Sequence, residues 1–168
     1  MPTLLLPGIP ADSTVFLDAN ILIYGLTKKS QQCVALLQRC ARQEIFGISS
    51  FSTLAEVTHR LMIMEAVSEG LAPTAKAKDY LDSHPQIVTQ LHEYWTLVSG
   101  ILAMNLLLVP VDEAVTRRAH LVRQAAGLLT NDSLIVAAMI ENEITFLASQ
   151  DQGFDTVREI VLCRADDL

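Results

Sequence analysis

Four acidic residues follow strand-like runs or open the helices after them. Asp18 comes directly after Val15-Phe16-Leu17, and Asp151 directly after the run Phe146 to Gln150. Glu56 lies about two turns into the helical pattern that follows Ile45–Ser49, and Asp132 lies in the first turn of the pattern opening near Asn131. In open parallel sheets, ligands bind beyond the carboxyl ends of the strands. If the sheet is parallel, these elements begin on one edge and the four acids can face one cleft. Carboxylates gathered in this way repel each other. They either share protons at raised pKa or hold a hard cation through oxygen. With no His or Cys beside them, the ligand set favours Mg²⁺ or Mn²⁺ over zinc. Such an ion acidifies water and neutralises charge on an in-line phosphoryl transition state, so the chemistry expected is phosphodiester hydrolysis. Each acid also has an ordinary role open to it. Asp18 could N-cap a short helix Ala19–Gly25. Asp132 could favour a helix dipole. Glu56 could sit on a solvated stripe with Ser52 and His59 or Arg60. Asp151 and Asp155 could be turn residues in Asp-Gln-Gly-Phe-Asp. The joint placement carries the expectation, and no single acid does.

Positioning these groups takes strands and helices in alternation. Five short apolar runs read as strands: Thr14–Leu17, Ile45–Ser49, Leu106–Val109, Thr145–Ser149 and Ile160–Cys163. Helical patterns lie between them at Ser30–Arg42, Phe51–Met64, Asp112–Ala126 and Asn131–Asn142. The third opens with Asp112 and Glu113, closes with Arg123 and is followed by Gly127, which are start and stop signals that suit the helix dipole. The alternation predicts an α/β domain with a central, mainly parallel five-stranded sheet and helices on both faces. Glu65–Ser99 breaks the alternation with a Gly-Leu-Ala-Pro turn at 70–73 and helical sequence interrupted by Pro85. It reads as a helical excursion within one domain spanning 1–168, because about 35 residues rarely fold alone.

Composition excludes several classes. The chain has 168 residues, 51% hydrophobic and 18% charged, which is a core-forming balance and not a disordered one. Cys33, Cys40 and Cys163 form no CxxC pair, so a reducing, cytoplasmic setting is expected without disulfides or a zinc knuckle. The segment Met1 to Pro10 lacks a basic region and its apolar run stops at Pro7, unlike a signal peptide. The apolar stretch Leu97–Val111 is broken by Ser99, Gly100, Asn105 and Pro110, so no membrane span is expected. His92-Glu93 lacks a second His four residues on, where Thr96 sits, so the zinc-protease pattern fails. No phosphate loop, dinucleotide fingerprint or Gly-x-Ser-x-Gly elbow occurs. His59, His84, His92 and His120 are scattered and are assigned no catalytic role.

Leu17-Asp18-Ala19-Asn20-Ile21-Leu22-Ile23-Tyr24 resembles the opening motif of PIN-domain nucleases. Leu54-Ala55-Glu56-Val57 is similar to that family's second, glutamate-bearing motif, and Asn131-Asp132-Ser133-Leu134-Ile135-Val136-Ala137 to its third. Ser149-Gln150-Asp151-Gln152-Gly153-Phe154-Asp155 resembles its fourth, and the likeness spans about Val15 to Val161. The resemblance implies a three-layer PIN-like fold and a single-stranded or structured RNA endonuclease using Mg²⁺ or Mn²⁺. Many small members are the VapC-type toxin of a toxin–antitoxin pair, commonly as homodimers, so an antitoxin protein and a second copy are implied partners. Carried over residue by residue, Asp18, Glu56, Asp132 and Asp151 would be metal ligands and water activators. Asn20 and Ser149 would be positioning groups. Two departures stand out. Gly153 occupies a place where many members carry an acid, for which Asp155 could substitute as a metal ligand, and the 65–99 excursion is longer than in compact toxins.

Net charge −7 opposes a polyanionic partner, since phosphate contacts need Lys and Arg. Setting the five named acids aside leaves 14 of 19 against 12 Lys plus Arg, a balance of −2. Basic residues group at Lys28-Lys29 with Arg39 and Arg42, and at Arg117-Arg118 with Arg123. They could follow an RNA backbone or be ordinary solvated helix faces. The alternative reading is a catalytically silent PIN-like module that binds RNA or protein. A phosphotransferase using Asp18 as nucleophile is weaker, because Asn20 stands where a second acid is expected. The apolar excess, with mean hydropathy +0.34, leaves room for a subunit interface.

Overall fold

The computed structural model describes residues 3–168; Met1 and Pro2, part of the opening segment considered above, lie outside the described residues. Six strands form one sheet: β1 (Leu4–Leu5), β2 (Thr14–Leu17), β3 (Phe46–Ser50), β4 (Leu107–Val109), β5 (Phe146–Ala148) and β6 (Val161–Arg164). Their order is β1-β6-β5-β2-β3-β4, and every pairing is parallel. The five expected strands are present within a residue or so of their expected bounds. The sixth, β1, pairs Leu4 with Cys163 and Leu5 with Arg164. Two residues are too few to show a period of two, and Pro7 follows at once, so this strand left no pattern to read.

Eight helices connect the strands: α1 (Ala19–Leu26), α2 (Gln31–Ala41), α3 (Phe51–Ser68), α4 (Ala77–Ser83), α5 (Pro85–Val88), α6 (Glu93–Leu102), α7 (Glu113–Ala126) and α8 (Thr130–Glu141). Their ends follow local chemistry. Ser30 Oγ accepts from the Cys33 amide at 3.0 Å, and Asp112 Oδ1 accepts from the Val115 amide at 2.9 Å, each satisfying an orphan donor of a first turn. Gly127 ends α7 at φ 71°, the left-handed conformation that glycine adopts without a Cβ clash.

The sheet is covered on both faces, as parallel sheets must be. Alternation along β2 divides the core. Val15 and Leu17 join one cluster with α1, α2, α3 and α6, while Phe16 joins the other with α7 and α8. The excursion forms a satellite core of its own, with Ala66, Ala72, Ala77, Leu81, Ile87 and Leu91. Its anchor is Glu65, which is buried in α3. Its carboxylate accepts from the amides of His92 at 2.7 Å, Glu93 at 2.9 Å and Tyr94 at 2.8 Å, capping α6 from another helix. No described helix is long and apolar enough to cross a membrane.

From β2 the chain runs outward through β3 and β4, then returns to β5 on the other flank of β2 and continues to β6. The winding therefore reverses between β2 and β5. Beyond the carboxyl ends of those two strands lies the crevice that such a reversal opens.

Candidate functional site

Leu17 pairs with Ala148 at the ends of β2 and β5, so the residues that follow each strand meet in that crevice. Asp18 is buried there and opens α1. Its Oδ1 accepts from the Ala19 amide at 2.6 Å; its Oδ2 accepts from Asn20 Nδ2 and from Ser149 Oγ, both at 2.6 Å. Ser149 Oγ in turn accepts from the Asp151 amide at 3.0 Å, and Asn20 Oδ1 accepts from the Gln150 amide at 3.0 Å. Asn20 and Ser149 thus tie the turn after β2 to the turn after β5. Asp18 does cap its helix, the ordinary role open to it, while also facing the crevice. Both its oxygens are engaged, which fixes the direction of the carboxylate.

Glu56 approaches from α3 and Asp132 from the first turn of α8. Glu56 Oε2 accepts from Asn131 Nδ2 at 3.3 Å, and Oε1 from Arg60 at 3.4 Å. Burial raises the pKa of Asp18 against the pull of the Ser149 and Ala19 hydrogen bonds, and the charges of Glu56 and Asp132 push it further up. Burial also raises Asp132, with added repulsion from Asp151 and Glu56. The charges that act on Asp18 and Asp132 thus come from acids spread over 133 residues of chain between Asp18 and Asp151.

Asp151 Oδ1 accepts from the Gly153 amide at 2.7 Å. A Cβ at Gly153 would stand 3.2 Å from that oxygen and 3.8 Å from Asp132 Oδ2. Position 153 therefore faces the acids and presents only backbone. Asp155, the expected substitute, is engaged by a basic side chain: its Oδ1 accepts from Arg164 Nη2 at 3.0 Å. Sequence reasoning also missed Asn131 and Arg164. Asn131 could have been suspected from its place beside Asp132, but Arg164, at the end of a strand, carries no local signal. Of the histidines, His84 stacks on Tyr80 with ring centroids 4.0 Å apart and His92 lies against Glu65 and Glu93; neither bonds to these acids.

The donor set is all carboxylate oxygen, which fits a hard divalent cation and not zinc. Among the described residues, no three such groups are drawn together tightly enough to cage an ion outright. Asp18, Glu56 and Asp151 are instead each engaged by neighbouring donors. That arrangement fits Mg²⁺-type binding, in which one or two carboxylates suffice and waters or phosphate oxygens complete the shell.

The basic groups are mostly committed to acids. Arg39 and Arg42 meet Glu44, Arg117 meets Glu113 and Arg118 meets Glu141. Lys29 lies over the Tyr24 ring, 4.6 Å from its centroid.

Fold and site together define a parallel α/β domain with an acidic crevice at its winding reversal. The PIN domain family model matches residues 15–160, and the chain belongs to that family. Among solved structures it is similar to VapBC2 from Rickettsia felis bound to a DNA fragment from their promoter. That likeness has TM-score 0.61 and 18% identity over 91% of this chain and 99% of that one. It is also similar to a toxin–antitoxin complex from Klebsiella pneumoniae, with TM-score 0.54 and 16% identity over 88% of this chain and 95% of that one. At such identities the likeness is one of fold. No curated protein matches.

Proposed function

We propose that this chain is a metal-dependent endoribonuclease, the toxin of a toxin–antitoxin pair. The observation that carries the reading is the convergence at the crevice between β2 and β5 of Asp18 and Asp132, whose pKa values are raised by burial and by the charges of neighbouring acids, Glu56 and Asp132 for the first and Asp151 and Glu56 for the second. One or two of Asp18, Glu56, Asp132 and Asp151 would hold Mg²⁺ or Mn²⁺ directly, with the others facing the same space through the waters of its shell. When bound, such an ion supplies charge neutralisation at phosphate oxygens and acidification of water. The chain's own residues do the rest. Ser149 and Asn20 fix the direction of the Asp18 carboxylate. Asp132, whose carboxyl holds its proton more tightly than an ordinary aspartate, is suited to accept a proton from the attacking water. Asn131 holds Glu56 toward the same space.

The partner reading follows the fold neighbours, which are toxin–antitoxin assemblies. An antitoxin encoded beside this chain and a homodimer in the cytoplasm are the corresponding expectations. Co-purification with the product of a neighbouring small reading frame, and the mass of the free chain in solution, test them.

Replacing Asp18 and Asp132 together by Asn should abolish Mn²⁺-dependent cleavage of RNA, a fall of at least about 10²-fold, with the far-ultraviolet dichroism unchanged. Cleavage retained in the purified double variant would remove the site. A second reading, a silent RNA- or protein-binding module, is favoured by Gly153 and by the pairing of the arginines. Wild type that binds RNA equally with and without Mn²⁺ and never cuts it would establish that alternative.

A further inference from the structure

Arg164 ends β6 and is largely covered, with 23% of its side chain exposed. One atom, Nη2, makes both of its polar contacts: it donates to the Asp151 carbonyl at 3.1 Å and to Asp155 Oδ1 at 3.0 Å. Its Nε is buried without a partner among the described residues. The same stretch of β6 holds the turn after β5 twice more, since the Ser149 amide donates to the Cys163 carbonyl at 3.1 Å and Gln150 Nε2 to the Ala165 carbonyl at 2.9 Å. Those two bonds fix residues 149 and 150, and Arg164 fixes the next. Asp155 is not among the charges that disturb Asp18 or Asp132. Its carboxylate serves the guanidinium.

Resting on the hydrolytic reading above, we propose that Arg164 is a positioning residue that sets the backbone of Asp151, and that Asp155 acts only by holding Arg164. Arg164 and Asp155 form one strut. The strut spans from the end of β6 to the short 3-10 turn Gln152–Thr156, and Asp151 is the residue clamped between them. Loss of either member lets the Asp151 peptide rotate and with it the carboxylate that accepts from Gly153.

The test is a calorimetric Mn²⁺ titration together with amide hydrogen exchange at Gly153. The proteins are the wild type, Arg164→Ala, Arg164→Lys, Asp155→Asn, the Arg164→Ala/Asp155→Asn double variant and Asp151→Asn. Loss of an outer-shell partner typically weakens metal binding about 10-fold or more. We expect about a 10-fold loss in Arg164→Ala, a similar loss in Asp155→Asn, no further loss in the double variant, and partial recovery in Arg164→Lys. Asp151→Asn should remove binding. Gly153 exchange should quicken in Arg164→Ala while amides of β5 stay protected. In cleavage assays kcat should fall with KM unchanged, whereas a direct phosphate contact would raise KM. Asp155→Asn that abolishes binding while Arg164→Ala leaves it intact makes Asp155 a ligand and overturns the proposal. So do additive losses in the double variant, or Mn²⁺ binding unchanged in Arg164→Ala. Wild type that binds no Mn²⁺, with Asp151→Asn indistinguishable from it, removes the hydrolytic reading and this proposal with it; binding unaffected by Arg164→Ala removes this proposal alone. If Arg164→Ala does not fold, the exposed Asp155→Asn and the charge-preserving Arg164→Lys carry the comparison.

Discussion

Asp132 holds its proton more tightly in the folded protein than an ordinary aspartate does, because burial and the charges of Asp151 and Glu56 disfavour its ionised form. The linkage has a definite sign. Below the ordinary aspartate range, folded and unfolded chains both carry the proton and the group costs nothing. As pH rises through the raised value, the folded form must ionise against its neighbours and stability falls. Asn at 132 does not titrate. In EDTA at neutral pH, Asp132→Asn should therefore melt above wild type, and the difference should close near pH 3. Solvent screens this half-buried group, so the gain is under about 1 kcal/mol, a shift of at most about 2–4 °C for a domain of this size. Scanning calorimetry at the two pH values checks it. An Asp132→Asn protein less stable than wild type at neutral pH would mean that Asp132 is a structural cap and not part of a repelling cluster.

At the scale of elements, the clearest energetic claim concerns Glu65. Burial by itself would raise its pKa, but the amides of Tyr94, His92 and Glu93 and the His92 charge pull it below the ordinary glutamate range. These are charge-assisted bonds to the first turn of α6, which otherwise has no side-chain cap. Removing them leaves orphan amides at a packed helix end. Glu65→Ala should cost about 2–3 kcal/mol in a urea denaturation. Its stabilisation is fully present above the ordinary glutamate pKa and is lost as pH falls through the lower folded value. The difference between wild type and Glu65→Ala should accordingly shrink in acid. A cost independent of pH would assign Glu65 a packing role alone. The 65–99 excursion is docked through this carboxylate; Asp18, Asp132 and Asp151 lie on other elements, and Glu56 lies nine residues earlier on α3 with its own partners, so Glu65→Ala should leave Mn²⁺ binding intact.

For the whole molecule, the acids are a liability to the fold that a cation would relieve. Binding to the native state alone stabilises by mass action, about 2.7 kcal/mol at a hundred times Kd. Mn²⁺ should raise the melting temperature of wild type, EDTA should reverse it, and Asp18→Asn/Asp132→Asn should respond to neither. A double variant stabilised as much as wild type would place the ion elsewhere. The paired arginines give a second expectation. With Arg39, Arg42, Arg117 and Arg118 already facing acids, the two basic groups have fewer free cations to displace counterions from a nucleic acid. RNA affinity should fall only shallowly with salt, and a steep dependence would show that these ion pairs open on binding.

Much of this was legible from residue order alone. Short apolar runs and helical patterning located β2 through β6 and the main helices, because strands of a sheet covered on both faces are apolar throughout and helices bury one stripe. Caps such as Ser30, Asp112 and Gly127 marked helix ends because the orphan groups there are local. The acids at 18, 56, 132 and 151 could be nominated since each follows an element whose direction a parallel sheet dictates. Three kinds of fact waited for the tertiary structure. The two-residue edge strand Leu4–Leu5 exists only because Cys163 and Arg164 offer it a partner. The order of strands, and so the reversal between β2 and β5, depends on which way the chain turns after β4, and no local pattern records that. The partners of charged side chains depend on long-range proximity. The ion pair of Asp155 is invisible until Arg164, nine residues on, is seen against it. Local periodicity and capping reside in consecutive residues, whereas side-chain partnership is a property of space, and only the packed sheet brings those residues together.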